Sequence, residues 1–396
     1  FRYLGPVDGH DIATLRKYMK MVKATKGPTL LHVVTEKGHG YEPAAEDPVF
    51  YHTPPTLAST ESPQEASAAG SLNFTHYARD SILDVMRQDE RVTVLTAAMC
   101  QGNKLEPVRD EFPDRFFDVG ICEGHAVAFA AGQAKAGLRP IVAVYSTFLQ
   151  RSLDQIFQEV ALQNLPVTFM MDRSGLAGPD GPTHHGLFDL GYLRIFPNMT
   201  MMAPADGEDL RRMLHFSIQH GGPCAVRYPK AGAPLISRQV ADLEFGQSEQ
   251  LETGCDGTIV SCGALLDQAL AARKELAGEG LDVGVLNARF VKPLDRQGLA
   301  GVLKDSPFVV TVEEAALAGG FGSAVLEVAS EMQLAGNRLR CLGIPDRFIE
   351  HGDRQTLLGE LGLDGAGIAE SCRQAADQAR SDSLREKPGS VEEMTS

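Results

Sequence analysis

Residues 172–186 read DRSGLAGPDGPTHHG and are dense in side chains that could do chemistry. They include an arginine, two aspartates, two adjacent histidines and four glycines, directly after the apolar run LPVTFMM. Imidazole titrates near neutral pH and can exchange protons with a substrate, while glycine lets the backbone approach a ligand closely. Such a segment after a strand is typical of a ligand-binding loop rather than of a core.

Two further segments of this kind also follow strand-like runs. Residues 118–125, DVGICEGH, supply the acid Glu123, and residues 145–151, YSTFLQR, supply aromatic rings and an arginine. In an open parallel sheet, ligands bind at the carboxyl ends of the strands. We therefore expect the three loops to bring acid, aromatic and base to one rim.

Each of these residues also has a simpler interpretation. Glu123 stands where a helix begins, and the helix dipole alone favours a carboxylate there. Arg227 could bind a phosphate or be an ordinary charge at the end of a strand. His184 and His185 make a poor metal site, because adjacent residues rarely chelate one ion and no further ligand stands at a suitable spacing. Residues 319–323, GGFGS, could hold an anion at a helix N-terminus or form only a turn.

Composition limits the classes of function. Of the 396 residues, 43% are hydrophobic and 22% are charged, which is typical of a globular protein. The net charge of -15 argues against nucleic-acid binding, because phosphate backbones require a basic surface. No apolar run approaches the roughly 20 residues of a membrane span. The seven scattered cysteines predict a reducing compartment, which favours the bacterial cytoplasm and leaves a plastid open.

The elements that position the three loops follow from the hydrophobic pattern. Apolar strands alternate with helices over residues 73–235 and again over 250–377, which predicts an α/β fold with two doubly wound parallel sheets. Residues 1–56 contain one helix and one strand, too little for a core, and are expected to be the end of a preceding domain. Residues 57–72 are predicted to be a linker, and residues 378–396 a flexible tail.

Taken together, the motifs resemble the 1-deoxy-D-xylulose-5-phosphate synthase family, thiamine-diphosphate enzymes of the transketolase superfamily. The resemblance covers about residues 1–370, and the motifs occur in the family's order. YSTFLQR and DRSGLAGPDGPTHHGLFDL are specific to this family within the superfamily. The other motifs that carry it are GPVDGHD, GPTLLHVVTEKGHGYEPAAEDP, PDRFFDVGICEGHAVAFAAG, AVRYPK, RFVKPLD and VEEAALAGGFGSAV.

The resemblance implies an activity and a domain plan. The activity is the condensation of pyruvate with D-glyceraldehyde 3-phosphate to 1-deoxy-D-xylulose 5-phosphate and carbon dioxide, which begins the non-mevalonate route to isoprenoids and feeds thiamine and pyridoxal synthesis. The plan comprises a diphosphate-binding, a pyrimidine-binding and a C-terminal domain, working as a homodimer. The family's Mg²⁺ motif belongs to the first domain and is not in this chain, so no metal ligand is expected here. We expect the chain to be a fragment that is inactive alone.

The resemblance also implies which residues bind the cofactor. Glu123 matches the carboxylate that contacts a ring nitrogen of the aminopyrimidine. Phe148 matches the aromatic ring that stacks on the pyrimidine, and Ile121 lies in the apolar surroundings of the same site. His10 matches a catalytic histidine at the end of the family's first domain.

The substrate contacts follow in the same way. His184 matches a residue that meets the substrate oxygens and could act as a general acid. An arginine's planar fork suits a phosphate. The residues expected to contact substrate are Tyr145, Arg151, Arg173, Asp180 and Arg227.

Two positions depart from the family pattern. Gly124 replaces the usual glutamine after the catalytic acid, and RYPKAGA lacks the usual Arg-Gly-Asn ending, so Lys230 is not assigned as a ligand. Two alternatives therefore stay open. One is the β-subunit type of 2-oxo acid dehydrogenase, against which residues 1–56 and the loop from Arg173 to His184 argue. The other is a non-catalytic diverged relative, supported only by Gly124.

Overall fold

The computed structural model describes residues 1–52, 72–238, 240, 242–334 and 338–385. The predicted linker at 57–72, except residue 72, and the part of the predicted tail beyond Arg385 lie outside the described residues. The chain divides into two compact units, Phe1–Ala68 and Ala69–Ser396.

The first unit contains few secondary-structure elements. Its parallel strands β1 (Arg2–Asp8) and β2 (Thr29–Val34) are joined by helix α1 (Ile12–Ala24), and a short helix α2 (Glu42–Glu46) follows. Asp11 caps α1 by accepting a hydrogen bond from the Thr14 amide at 3.0 Å. No side chain of α1 is buried, in keeping with a segment too short for a core of its own.

The second unit begins with a seven-stranded sheet. Its strands are β3 (Val92–Thr96), β4 (Phe116–Asp118), β5 (Arg139–Tyr145), β6 (Thr168–Asp172), β7 (Thr200–Met202), β8 (Cys224–Arg227) and β12 (Phe290–Lys292). Their order across the sheet is β12-β7-β8-β6-β5-β3-β4, and every pair is parallel except β12 with β7. The strands β3, β5, β6 and β8 are buried almost throughout, as continuous apolar runs predict.

Helices connect these strands, and the helical segment between β5 and β6 is irregular. It comprises a 3₁₀ turn at Gln150–Ser152, the short α7 (Leu153–Gln155) and a π-helix at Ile156–Ala161. The other helices are α3 (Phe74–Gln88), α4 (Glu106–Glu111), α5 (Glu123–Lys135), α6 (Ser146–Leu149), α8 (Asp189–Leu193) and α9 (Gly207–Gln219).

A five-stranded sheet forms the C-terminal half. Its strands are β9 (Glu249–Glu252), β10 (Gly257–Cys262), β11 (Val283–Asn287), β13 (Val309–Ala316) and β14 (Leu339–Ile344), and the helices are α10 (Leu266–Gly278), α11 (Arg296–Asp305), α12 (Phe321–Glu331), α13 (Arg354–Glu360) and α14 (Gly365–Arg385). The strand order is β14-β13-β10-β11-β9, and β9 is the antiparallel edge. The α/β class is thus confirmed. Residues 378–385, assigned to the tail from their polar composition, instead continue the last helix.

The two halves are more closely joined than two separate domains would be. Strand β12 belongs to the C-terminal half in sequence but pairs with β7 of the first sheet. Beside it, Arg238 and Arg289 form buried ion pairs with Asp206, Asp209 and Glu249. Among the described residues, no helix is both long and apolar enough to cross a membrane.

Candidate active site

Three strand ends bring the predicted loops to one edge of the seven-stranded sheet. Tyr145 ends β5 and is the register partner of Asp172, which ends β6. Asp118 ends β4 and pairs with Thr96 of β3, the strand that separates β4 from β5. The rim predicted from the sequence therefore exists.

Glu123 is the first residue of α5 and is only 3% exposed. Within the described part of the chain, its Oε2 accepts no hydrogen bond, and the nearest cation is the Arg151 Nη1 at 3.2 Å. Arg151 itself has a side chain 58% exposed. A buried carboxylate oxygen without a hydrogen bond is costly, which suggests that a ligand group completes this environment.

Aromatic rings also line this rim. The Phe148 ring is half-buried; its centroid lies 5.6 Å from that of Tyr145, stacked, and 5.3 Å from that of His184, edge to face. The guanidinium carbon of Arg173 lies 3.6 Å from the centroid of the Tyr145 ring. Four of the predicted site residues thus contact one another in a chain.

Arg173 is held in a strained backbone conformation. Its φ is +61°, a value that non-glycine residues rarely adopt and that is concentrated at functional sites. Its Nη1 donates to the carbonyl of Gly102 at 3.2 Å and lies 3.4 Å from the carboxylate of Asp172. Burial raises the pKa of Asp172, while Arg173 and a hydrogen bond from Thr75 oppose that rise.

Gly102 is a site residue that the sequence reasoning missed. A Cβ built on Gly102 would lie 1.6 Å from the Tyr145 Oη, so only glycine lets this loop pack on the tyrosine. Its carbonyl also accepts the hydrogen bond from Arg173. The only available signal was a single glycine in the segment that follows the buried strand β3, because glycine permits a close approach of the backbone.

Two charged residues of the rim form an open pair. The Nζ of Lys230 donates to the Asp180 carboxylate at 3.1 Å, and their side chains are 42% and 28% exposed. His184 is half-buried, and its Nδ1 is 2.9 Å from the Thr183 hydroxyl. Lys230, which the motif comparison left unassigned, therefore lies with the predicted substrate residues.

Arg227 is engaged by partners within its own chain. Its side chain is 5% exposed, its Nε donates to Asp189 at 3.0 Å, and its Nη2 donates to the carbonyls of Gly186 and Glu314. A buried guanidinium paired with a carboxylate and bonded to main-chain oxygens holds the segments that carry those groups together. These contacts give Arg227 a structural role, and its contact with substrate phosphate stays a prediction.

The remaining predicted residues are placed as follows. Ile121 is 71% exposed within this chain, so its apolar surroundings are not supplied by the described residues. His10 belongs to the first unit, where its Nε2 accepts from the Glu36 amide at 2.7 Å and its ring stacks on His39. Its catalytic role stays a prediction.

The second histidine of the pair is structural. His185 is buried, its Nδ1 accepts from the Ala177 amide at 2.8 Å, and its Nε2 is 3.3 Å from the Glu350 carbonyl. Burial lowers the pKa of His185, which favours the neutral ring that these partners require. In the described residues, no group of three or more His, Cys, Asp or Glu side chains could hold a metal ion.

Three family models match successive parts of the chain. Residues 1–35 match the 1-deoxy-D-xylulose-5-phosphate synthase model, residues 71–234 the transketolase pyrimidine-binding domain, and residues 246–368 the transketolase C-terminal domain. A split-gene transketolase structure, an inactive beta4 tetramer, aligns with a TM-score of 0.70 and 28% identity over 78% of this chain and 99% of that chain.

Curated relatives are named 1-deoxy-D-xylulose-5-phosphate synthases, like the family model that matches residues 1–35. A 1-deoxy-D-xylulose-5-phosphate synthase of Rhodopirellula baltica is 57% identical over 96% of this chain and 60% of its own length. Synthase 1 of Geobacter sulfurreducens is 45% identical over 93% of this chain and 58% of its length. The chain spans about three fifths of the length of these relatives. It belongs to the 1-deoxy-D-xylulose-5-phosphate synthase family of the transketolase superfamily.

Proposed function

We propose that this chain is the pyrimidine-binding and C-terminal part of an enzyme that condenses pyruvate with D-glyceraldehyde 3-phosphate, releasing carbon dioxide and 1-deoxy-D-xylulose 5-phosphate. The observation that supports this most directly is Glu123, a buried acid whose Oε2 accepts no hydrogen bond within the described residues. It lies at the rim that also carries Phe148, Tyr145, Arg173 and His184.

Thiamine diphosphate fits these residues. Glu123 would hold a ring nitrogen of the aminopyrimidine, and the half-exposed face of Phe148 would stack on that ring. When bound, the cofactor supplies the nucleophilic carbon, and the protein supplies orientation and electrostatics. We assign Mg²⁺ and the diphosphate to the part of the relatives that this chain does not match.

Cations on the rim suit a phosphorylated aldehyde. The Nε of Arg173 is buried and has no hydrogen-bond partner within the described residues, and Lys230 and Arg151 are exposed enough to reach a phosphate. We propose that Arg173 and Lys230 bind the acceptor's phosphate. Tyr145 supports Arg173 through its ring face.

Residues beside these cations would transfer the proton and bind the substrate hydroxyl. The Nδ1 of His184 is engaged by Thr183, which leaves Nε2 to donate a proton to the oxygen of the aldehyde as the new carbon–carbon bond forms. Asp180, with its pair Lys230, would accept a hydrogen bond from a substrate hydroxyl. These roles require a substrate between His184 and the acid at Glu123.

We further propose that the chain works in the bacterial cytoplasm, as a homodimer, and only together with a diphosphate-binding part. The split-gene transketolase chain, 99% of which this chain covers, is described as an inactive tetramer, which supports a need for the other part. Exposed apolar side chains of the second unit favour self-association. They are Ile121, Phe157, Leu162, Phe188 and Ile195.

The test joins this chain to the N-terminal part of the Rhodopirellula baltica relative and supplies thiamine diphosphate and Mg²⁺. Carbon dioxide release from pyruvate is measured with and without D-glyceraldehyde 3-phosphate, beside Glu123→Gln and the exposed control Glu90→Gln. We expect stimulation by the acceptor, a loss of at least about 100-fold in Glu123→Gln and no change in the control. A hybrid that binds the cofactor but ignores pyruvate would favour the non-catalytic alternative.

A further inference from the structure

We propose that Glu314 is a positioning residue through which the C-terminal half holds the substrate loop, defined here as Arg173–Gly186. The inference rests on the proposed function, because it concerns how Asp180 and His184 are presented to the acceptor. Glu314 lies on β13 and belongs to none of the segments that form the rim.

The substrate loop is closed at its neck and anchored at both ends. Gly175 and Gly186 exchange two backbone hydrogen bonds, of 2.7 and 2.8 Å. The side chains of Leu176 and Leu187, just inside and just after the loop, are 1% and 4% exposed and pack in the hydrophobic core of the C-terminal half. The loop therefore depends for its foundation on the half of the protein that carries no predicted site residue.

Glu314 fixes the loop at its first turn. Its Oε1 accepts a hydrogen bond from the Leu176 amide at 2.9 Å, in a buried environment. A Cβ on Gly175 would lie 2.6 Å from the Glu314 Cδ, and the φ of Gly175 is +93°, so the close contact requires glycine. Arg354 donates two hydrogen bonds to the same carboxylate and holds it in place.

Two further contacts come from the segment that precedes α13. The amide of Gly352 donates to the Gly178 carbonyl at 3.3 Å. His185, whose Nδ1 accepts from Ala177, lies with its Nε2 3.3 Å from the Glu350 carbonyl. We call Glu314, Glu350, Gly352 and Arg354 the C-terminal clasp.

The positions of these contacts along the loop indicate what they do. They hold residues 176, 178 and 185 from the side of the C-terminal half. The residues between, which include Asp180 and His184, form the more exposed tip. With both flanks fixed, the tip has few conformations to lose when a substrate binds, so the clasp should lower the cost of binding the acceptor. Pyruvate and the cofactor, which we assign to the Glu123 side, should depend on it little.

Hydrogen exchange tests the clasp without any activity. The full chain is compared with Glu314→Gln, whose amide cannot accept both donors of Arg354. The control is Arg340→Gln on the adjacent edge strand β14, where the guanidinium donates to Gln374 and does not contact the substrate loop. We expect exchange in peptides covering 176–185 to be at least about tenfold faster in Glu314→Gln only, with residues 116–135 unchanged. Unchanged exchange at 176–185 would overturn the proposal.

Kinetics of the active hybrid test the consequence. For Glu314→Gln we expect the KM for D-glyceraldehyde 3-phosphate to rise by about tenfold or more, with pyruvate KM and acceptor-independent carbon dioxide release close to those of the parent. The melting temperature should fall, because the partly buried Arg354 loses the charge of its partner. Equal losses for both substrates would indicate general loosening of the protein and overturn the proposal. If the parent hybrid itself ignores pyruvate, the proposed function fails, while the exchange result still decides whether the clasp holds the loop.

Discussion

The guanidinium group of Arg173 lies on the ring face of Tyr145, 3.6 Å from its centroid, at the carboxyl ends of two adjacent strands. Arg173 also carries a left-handed backbone and a side chain 9% exposed, so its position is fixed from several directions. Under the proposed function, Tyr145 would act mainly by orienting Arg173 toward the acceptor's phosphate.

Two substitutions at Tyr145 distinguish the contribution of its aromatic ring from that of its hydroxyl group. We expect Tyr145→Phe to keep acceptor binding nearly intact, because the ring face remains, and Tyr145→Leu to raise the KM for D-glyceraldehyde 3-phosphate by about 2- to 30-fold, equivalent to about 0.5–2 kcal/mol. The measurement is the steady-state KM of the active hybrid. A leucine variant that binds the acceptor as well as the phenylalanine variant would contradict the role of the ring.

Gly102 supports the same pair from the loop after β3. In Gly102→Ala the new methyl group would meet the Tyr145 Oη at 1.6 Å, so the tyrosine or the loop must move and Arg173 must lose its carbonyl partner. We expect a rise in acceptor KM of about tenfold or more and a lower melting temperature. Gly301→Ala, at a position in α11 where nothing lies within 4 Å, is the control and should be neutral or stabilising. Equal behaviour of the two variants would contradict the steric argument.

Features of the fold that depend on local sequence could be predicted, whereas features that depend on contacts between distant residues could not. The buried parallel strands and the helix Glu123–Lys135 were predictable because continuous apolar runs and a helix-starting acid are local signals. Strand β12 was not predictable, because a strand of three residues carries no local signal of its pairing with β7, about 90 positions earlier. Whether a cation at a strand end is exposed also depends on residues that are distant in sequence. Arg227 is neutralised by the buried Asp189, whereas Lys230, three residues later, remains half-exposed.

The glycine that replaces the family's glutamine can be tested directly. Gly124 lies in the first turn of α5 with ordinary helical φ, and a Cβ there would meet only the flexible end of the Gln155 side chain, at 3.2 Å from Oε1. We expect Gly124→Ala to raise the free energy of unfolding by up to about 1 kcal/mol and to leave activity intact. Urea denaturation measures this. Gly137→Ala, just after the same helix at φ +95°, should be destabilising, and the same sign for both would contradict the account.

Glu313 should make stability depend on pH. Its carboxylate is fully buried at the start of α12 and accepts hydrogen bonds from the amides of Phe321 and Gly322 at 2.6 and 2.7 Å. These bonds favour the charged form, but burial outweighs them and raises the pKa of Glu313 from 4.5 to about 7. The folded protein then holds this proton more tightly than the unfolded chain. The resulting stabilisation is complete below pH 4.5 and is lost as the pH rises through about 7.

A neutral replacement removes that dependence. Glu313→Gln keeps one carbonyl acceptor for the helix amides and cannot titrate, so the free energy of unfolding of the parent, relative to this variant, should fall by roughly 2–3 kcal/mol between pH 5 and pH 8. Urea unfolding at each pH measures the difference. Because other buried acids titrate in both proteins, only the difference between their curves reports on Glu313. The exposed acid Glu360 provides the control, and Glu360→Gln should follow the parent at every pH. Parallel curves for the parent and Glu313→Gln would mean that the two helix amides outweigh burial and that Glu313 is charged throughout this range.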